Sequence, residues 1–327
     1  MANVFVCGTT NEISIVCAKD YGIENPKYRK GDTIWDTIYF GYYYQSQYDD
    51  KKEPIRWKVL SVNGDNAFIM TEECLDCQPY NKVYEDVTWE TCSLRKWLNV
   101  DFYNEAFTSL EQEAIISTNV INNDTVSYCP SGKYRGTGIG GNDTYDKIYL
   151  LSIDEANNIQ YGFGGKEIET QDVWRTDYAE KEGVLSSWSG VNAWLRSPAD
   201  NNKAASYINT SGSIINITTT IECTPETSTS TAKKWTLNNN VNSIGMGIQP
   251  VLHIDLSKTK VWSNGGKITS EGGWGNDVKG TKVVVPKNYV TEIDDLYYRV
   301  TKTGKKKGEV ELVGWYELNT FYAIQLL

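Results

Sequence analysis

The chain predicts an α+β fold, with many short strands, two or three helices and a small all-β module at the end. Three observations carry that expectation. Segments of alternating aromatic and polar residues, such as TIYFGYYYQ from 37 to 45, have the two-residue period of half-buried strands. Thr108 with Glu111, and Ser152 with Glu155, are spaced as capping boxes, the signature of helix starts. Beyond Lys258 the runs KVVVP, LYYRVTK, GEVELVG and FYAIQLL read as four strands joined by tight turns.

In chain order, residues 1–30 form a β-rich lead-in with apolar runs around Cys7 and Cys17. The main domain spans 31–257. In it, the pattern PIRWKVLSVNGDNAFIMTEE is a strand, a turn at Asn63-Gly64-Asp65-Asn66, and a second strand, a hairpin signal. SLRKWLNVDFYNEAF then spaces Leu94, Trp97, Leu98, Phe102 and Phe107 as one helical face, with a break expected near Asn99. CPSGKYRGTGIGGNDTYD reads as a glycine-rich loop, because neither a dinucleotide fingerprint nor a phosphate loop surrounds its GTGIGG. From Trp188 to Leu256 the helical signal is gone, and 23 of the 45 residues from 200 to 244 are Asn, Ser or Thr. The all-β module occupies 258–327.

Composition excludes some functions. Net charge is −10 with no basic footprint for a phosphate backbone, so no nucleic-acid partner is expected. Lys305, Lys306 and Lys307 read as a hairpin tip. No apolar run approaches the roughly 20 residues of a membrane-crossing helix. No signal-peptide pattern opens the chain, which starts abruptly in strand-like sequence. A signal or anchor is therefore expected outside it, and the location expected is secreted or at the cell surface.

Catalytic chemistry finds few footholds. The only histidine, His253, alternates with Val251 and Asp255 on one strand face and reads as a sheet-face residue. Ser197, in LRSPA, is not framed as a nucleophile elbow. Cys74 and Cys77 form a CxxC without a second metal-binding half, so the seven cysteines read as scattered buried thiols. Asp200-Asn201-Asn202, and Asn142-Asp143 with Asp146, are possible calcium oxygens and equally good turn formers. No cofactor is expected.

The motifs PIRWKVL, YEDVTWETCSLRKWLNVDFYNEAF, GGNDTYDKIYLLSIDEA, NAWLRSP, AASYINTSGSI and IGMGIQPVLHI follow one another over about 35–256. Together they resemble an uncharacterised domain family of secreted and surface proteins from gut Firmicutes. That family is similar to the C-type-lectin-like fold and to formylglycine-generating-enzyme-like proteins. The fold class includes the variable proteins of diversity-generating retroelements, in which adenine-rich codons are diversified to vary a binding surface. The resemblance thus implies a C-type-lectin-like ligand-binding domain. The chain departs from its relatives at Ala193, where they carry a second aromatic, and at Gln249, where they carry an arginine. It also lacks the calcium-and-sugar signature of true C-type lectins and the paired catalytic cysteines of the formylglycine-generating enzymes.

Two roles follow for the segment NAWLRSPADNNKAASYINTSGS. Trp194, Arg196 and Gln249 are expected as structural anchors of a frame. In mostly apolar surroundings Arg196 must find an acidic partner or several carbonyls, since an unpaired buried guanidinium costs several kcal/mol. Asn201, Asn202, Tyr207, Asn209, Asn216, Trp235 and Asn239 are expected to contact ligand, because Tyr or Trp mixed with short polar side chains makes an adaptable surface. The expected function is non-enzymatic binding of a protein or glycan on another cell or surface, with 200–244 as the binding surface. The alternatives are a hydrolase or other enzyme acting on glycans, and a spacer module of a cell-surface protein.

Overall fold

A computed structural model describes residues 2–7, 23–29, 32–48, 50–163, 173–187, 190–223, 235–258, 262–268, 278–284, 299–301 and 309–314. For 2–7, 220–223, 235–237 and the strands beyond Lys258 the description is of the backbone. The expected turn sets the register of the central sheet: strands Lys52–Asn63 and Asn66–Thr71 pair from Asn63 opposite Asn66, with Gly64 at φ +60°. Only glycine takes that conformation without strain.

Seven strands form the larger sheet, in the order Trp262–Ile268, Ala2–Cys7, Thr37–Tyr44, Lys52–Asn63, Asn66–Thr71, Val251–Asp255 and Ile115–Ile116. All neighbours are antiparallel except Ala2–Cys7 beside Thr37–Tyr44. Strands from the lead-in and from the start of the tail therefore hydrogen-bond into the sheet of the main domain, across the divisions at 30/31 and 257/258. A second sheet has the order Ile214–Ile215, Ala205–Ile208, Ala193–Pro198, Gly247–Ile248 and Asp76–Cys77.

One ribbon joins the two sheets. Asn66–Thr71 pairs with Val251–Asp255, and the same two chains pair again as Asp76–Cys77 with Gly247–Ile248. Between these pairings the chains part, and Gln249 fills the gap. Its Nε2 donates to the carbonyls of Thr71 at 2.9 Å and Glu72 at 3.3 Å. Without it those two acceptors would lose their partner in a buried place, where a missing hydrogen bond costs ~1–3 kcal/mol.

Both capping boxes form, and both glutamates reach further than a cap needs. Glu111 caps the helix Ser109–Gln112, and its other oxygen accepts from the N–H of Gly41 at 3.3 Å, in the bulge of Thr37–Tyr44. Glu155 caps the helix Ile153–Ala156 and also binds Arg196.

The break expected near Asn99 is absent. Residues Ser93–Trp97, Leu98–Phe102 and Tyr103–Ala106 are one continuous helix whose middle segment has π geometry. Asn99 sits in that segment and acts as a substitute strand partner. Its Oδ1 accepts from Lys147 N and Ile148 N at 2.8 and 3.2 Å, and its Nδ2 donates to Ile148 O at 2.8 Å.

Strand outweighs helix throughout, and the helices pack beside the sheets, so the α+β expectation holds. In the tail, Val278–Val284, Arg299–Thr301 and Glu309–Gly314 form a three-stranded sheet with Glu309–Gly314 in the middle. The expected strand FYAIQLL, the Lys305–Lys307 tip and Cys17 lie outside the described residues.

Candidate functional site

The frame strand Ala193–Pro198 is buried along its whole length. Trp194 donates from Nε1 to Gln78 O at 3.1 Å and meets the ring of Tyr80 edge-on, with centroids 5.9 Å apart. Arg196, 4 % exposed, ties three segments to the strand. Its Nη1 pairs with the Glu155 carboxylate and donates to Leu150 O at 2.8 Å; its Nη2 donates to Ile121 O at 3.0 Å. The guanidinium also lies over the ring of Tyr149, 5.4 Å from its centre. Ser197 accepts from Ile153 N at 3.1 Å, at the first turn of the helix that Glu155 caps. LRSP and SIDE are thus two halves of one clasp, and the Ser197 hydroxyl belongs to it.

Above the frame strand the polar residues turn inward. Tyr207 is 1 % exposed and bonds through its hydroxyl to Thr219 Oγ1 at 3.1 Å. Asn239, 0 % exposed, is a four-way staple: Nδ2 donates to Ala205 O and Ile217 O at 3.0 Å, and Oδ1 accepts from Thr219 N at 2.8 Å and from Thr219 Oγ1 at 3.3 Å. Asn202 clamps Ile139 through both N–H and C=O and also holds Val87 O. Asn201 bonds Asp200, Thr218 and Lys203 N; Asn209 closes the turn to Ser213 around Gly212, whose φ is +74°.

The ligand-contact expectation for Tyr207 and Asn239 therefore meets a correction. Both are core members of the loop, because each of these side chains finds its hydrogen-bond partners inside. Asn216 is half-buried, its carbonyl accepting from Ser127 Oγ at 2.5 Å. The backbone of Trp235 pairs with Cys223, and its side chain lies outside the described residues.

The candidate calcium oxygens have other work. Asp200 accepts from Thr218 N at 3.0 Å, from Asn201 and from the Thr218 hydroxyl, and it pairs with Arg135 at 3.5 Å. Asp146 holds Trp89, Arg95 and Thr144, and Asp143 holds Asn122 N.

The glycine-rich stretch is more ordered than a loop. Thr125–Tyr128 and Tyr134–Gly138 form a hairpin that lies on the segment 198–200. Gly136 and Gly138 face inward, where a methyl group would overlap Asp200 O and Ala199 O respectively. The opposite face carries Val126, Tyr128 and Tyr134, with Tyr128 and Tyr134 more than half exposed at 56 % and 55 %. Their rings meet edge-on at 6.0 Å, and Tyr134 bonds Thr137 through its hydroxyl at 3.0 Å. In TVSY alternation sets Thr125 and Ser127 against Val126 and Tyr128, but in YRGTG it would put Tyr134 on the glycine side; the bulge at Arg135 turns it to the Tyr128 side instead.

On another side lies a cleft of about 330 Å³, lined by Arg56, Glu72, Glu73, Arg175 and Asp177 among others. Its walls are clamped by backbone bonds: Glu72 N to Arg56 O, Cys74 N to Trp174 O, and Thr176 N to Cys74 O, all at 2.9–3.0 Å. Arg56 pairs with Glu72, and Arg175 with Glu180 at 2.5 Å. Glu73 is pushed up to about 7, by burial first and by the charge of Glu72 next. Sequence reasoning missed this cleft, because its charges come from three separate segments.

The remaining reactive groups are quiet. His253 donates from Nδ1 to Asn66 Oδ1 at 2.7 Å and stacks on Phe68, its partner across the sheet, at 4.5 Å. Burial lowers its pKa to about 4. Cys77 is pushed up to about 11 and Cys74 well above its ordinary value, both by burial, so both stay protonated at neutral pH. A protonated thiol is a poor nucleophile and a poor metal ligand.

Two sheets with flanking helices, and a frame strand clasped by a buried arginine, define an α+β domain. Residues 64–256 match the domain family DUF6273, a domain of unknown function, and this span is more than half of the chain; the protein belongs to that family. No curated protein and no solved structure matches it.

Proposed function

We propose that this chain is a non-enzymatic, C-type-lectin-like ligand-binding protein, secreted or displayed at a cell surface. Its ligand is a protein or glycan on another cell or surface. The observation that carries the reading is the exposed face of Val126, Tyr128 and Tyr134 on a hairpin locked by its glycine side onto the frame. Exposed tyrosines on a fixed backbone give large contact area at little entropic cost. Asn201, bonded to Asp200 beside the hairpin, contributes a polar rim and the hairpin supplies the anchors; the turn 209–213 lies at the other end of the frame strand, against Asn192.

The staples at half-buried Asn202 and at buried Tyr207 and Asn239 support a loop that keeps its shape while exposed neighbours vary. That is what a retroelement-diversified variable protein requires, and this chain is proposed to be one or a non-diversified relative. A reverse transcriptase and a near-copy of the segment encoding 192–250, differing mainly at adenines, in the neighbouring DNA would distinguish these two.

The binding test uses the full chain on arrays of glycans and bacterial-surface proteins. A ligand should bind, and Tyr128→Ala with Tyr134→Ala should weaken it at least ~10-fold, or ~1.4 kcal/mol, with the fold intact. Unchanged binding in the double variant removes the hairpin from the site. Turnover of a glycan in the same screen would replace the binding reading with the enzymatic one.

A further inference from the structure

The cleft beside Glu73 is separate from the hairpin face, and its chemistry points to a different kind of ligand. Three properties narrow the choice. Its volume, about 330 Å³, is near the lower end for small-molecule sites, which fits an occupant of a few heavy atoms rather than a polymer. Its walls are held by backbone hydrogen bonds, so the cleft is formed before any ligand arrives. Its lining carries both signs of charge, with two guanidiniums and four carboxylates, those of Glu53, Glu72, Glu73 and Asp177.

The internal pairing leaves a pattern. Arg56 and Arg175 are each held by one carboxylate, Glu72 and Glu180, and one pair satisfies only part of a guanidinium's five donors. Glu73, half-buried, lines the same cleft beside a like charge, Glu72, and partial burial removes some of its water. A simple anion such as acetate would meet the arginines but also Glu73 and Asp177. A simple organic cation would meet the carboxylates but also two guanidiniums. Among the described residues no cluster of three or more His, Cys, Asp or Glu side chains converges as a metal site, and the volume far exceeds a bare ion. A molecule carrying one charged group of each sign on the same carbon satisfies both sets together.

We propose that this cleft binds a small zwitterion of the α-amino-acid class, its carboxylate on Arg56 and Arg175 and its ammonium on Glu73 and Asp177. The carboxylate completes the open guanidinium donors through charge-assisted hydrogen bonds. The ammonium offsets the repulsion between Glu73 and Glu72, which the charges of Arg56 and Lys58 offset only in part. This site does not depend on the hairpin reading, since none of its residues lies on 125–138 or 200–219.

Calorimetric titration of the full chain at neutral pH tests it, with glycine, L-lysine and L-glutamate as zwitterionic probes. Acetate and methylammonium serve as single-charge probes. At least one amino acid should bind saturably, and both single-charge probes at least ~10-fold more weakly. Glu73→Gln should weaken that binding at least ~10-fold while leaving glycan or protein binding at the hairpin unchanged. Arg175→Gln should do the same; where it fails to fold for want of the Glu180 pair, Glu73→Gln decides alone. Absence of saturable amino-acid binding, equal binding of acetate or methylammonium, or wild-type affinity in Glu73→Gln would each overturn the proposal.

Discussion

His253 shows how one side chain's surroundings decide its chemistry. It lies opposite Phe68 in the sheet, stacked on that ring, with Tyr149 stacked further off at 6.4 Å. Burial disfavours its charged form, lowering its pKa from 6.5 to about 4, while Glu155 pulls weakly the other way. A base whose folded pKa is depressed stabilises the fold fully above its unfolded value. That contribution shrinks as pH falls from about 6.5 to about 4. The whole shift corresponds to about 3 kcal/mol. Because the chain has a single histidine, its ring-proton resonance can be followed alone by NMR and should titrate near 4. A midpoint between 6 and 7 would show the imidazole to be solvated. The half-buried, stacked ring also explains why the lone histidine reads as a sheet-face residue rather than a base.

At the scale of elements, short-range rules were legible and tertiary partners were not. The capping boxes at Thr108 and Ser152 are local, fixed by three-residue spacing, and both formed. That Glu111 would also close the bulge at Gly41, and Glu155 also hold Arg196, needed segments 70 and 41 residues away. Asn99 was misread for the same reason. An asparagine in a helix normally competes with the backbone, but here its amide pairs with Ile148 and the helix continues through a π turn. The second strand of the hairpin, Tyr134–Gly138, lies in the stretch CPSGKYRGTGIGGNDTYD, which reads as a glycine-rich loop for want of a phosphate-binding frame. Its glycines instead permit close approach to 198–200. Gly138→Val should therefore lift the hairpin from the frame and cost roughly 1–3 kcal/mol, the range for overpacking, in chemical denaturation. A loss below about 0.5 kcal/mol would mean the hairpin does not rest there.

Across the whole molecule, the larger sheet crosses the divisions that composition drew. Ala2–Cys7 pairs with Trp262–Ile268 on one side and Thr37–Tyr44 on the other. A fragment of residues 31–257 would leave Thr37–Tyr44 as an unpaired edge carrying buried Ile38 and Phe40. Such an edge is a template for association. The fragment should therefore aggregate by light scattering at concentrations where the full chain does not, and equal solubility would show that the edge is otherwise covered. No helix among the described residues is long and apolar enough to cross a membrane.

What the sequence determined by itself was local or periodic: the strand-rich α+β class, the Asn63–Asn66 turn, the two caps, and the need of Arg196 for buried partners. Each depends on residues within a few positions or on one charge that cannot be left bare. Only the tertiary structure decided which way the polar side chains of 200–219 and 238–244 point. Asn and Tyr have the same composition whether they face a ligand or staple a loop. Asn202, Tyr207 and Asn239 found partners inside. Exposed Tyr134 meets Tyr128 only through a hairpin whose second strand reads as loop, and the charged cleft comes from three segments that only folding brings together.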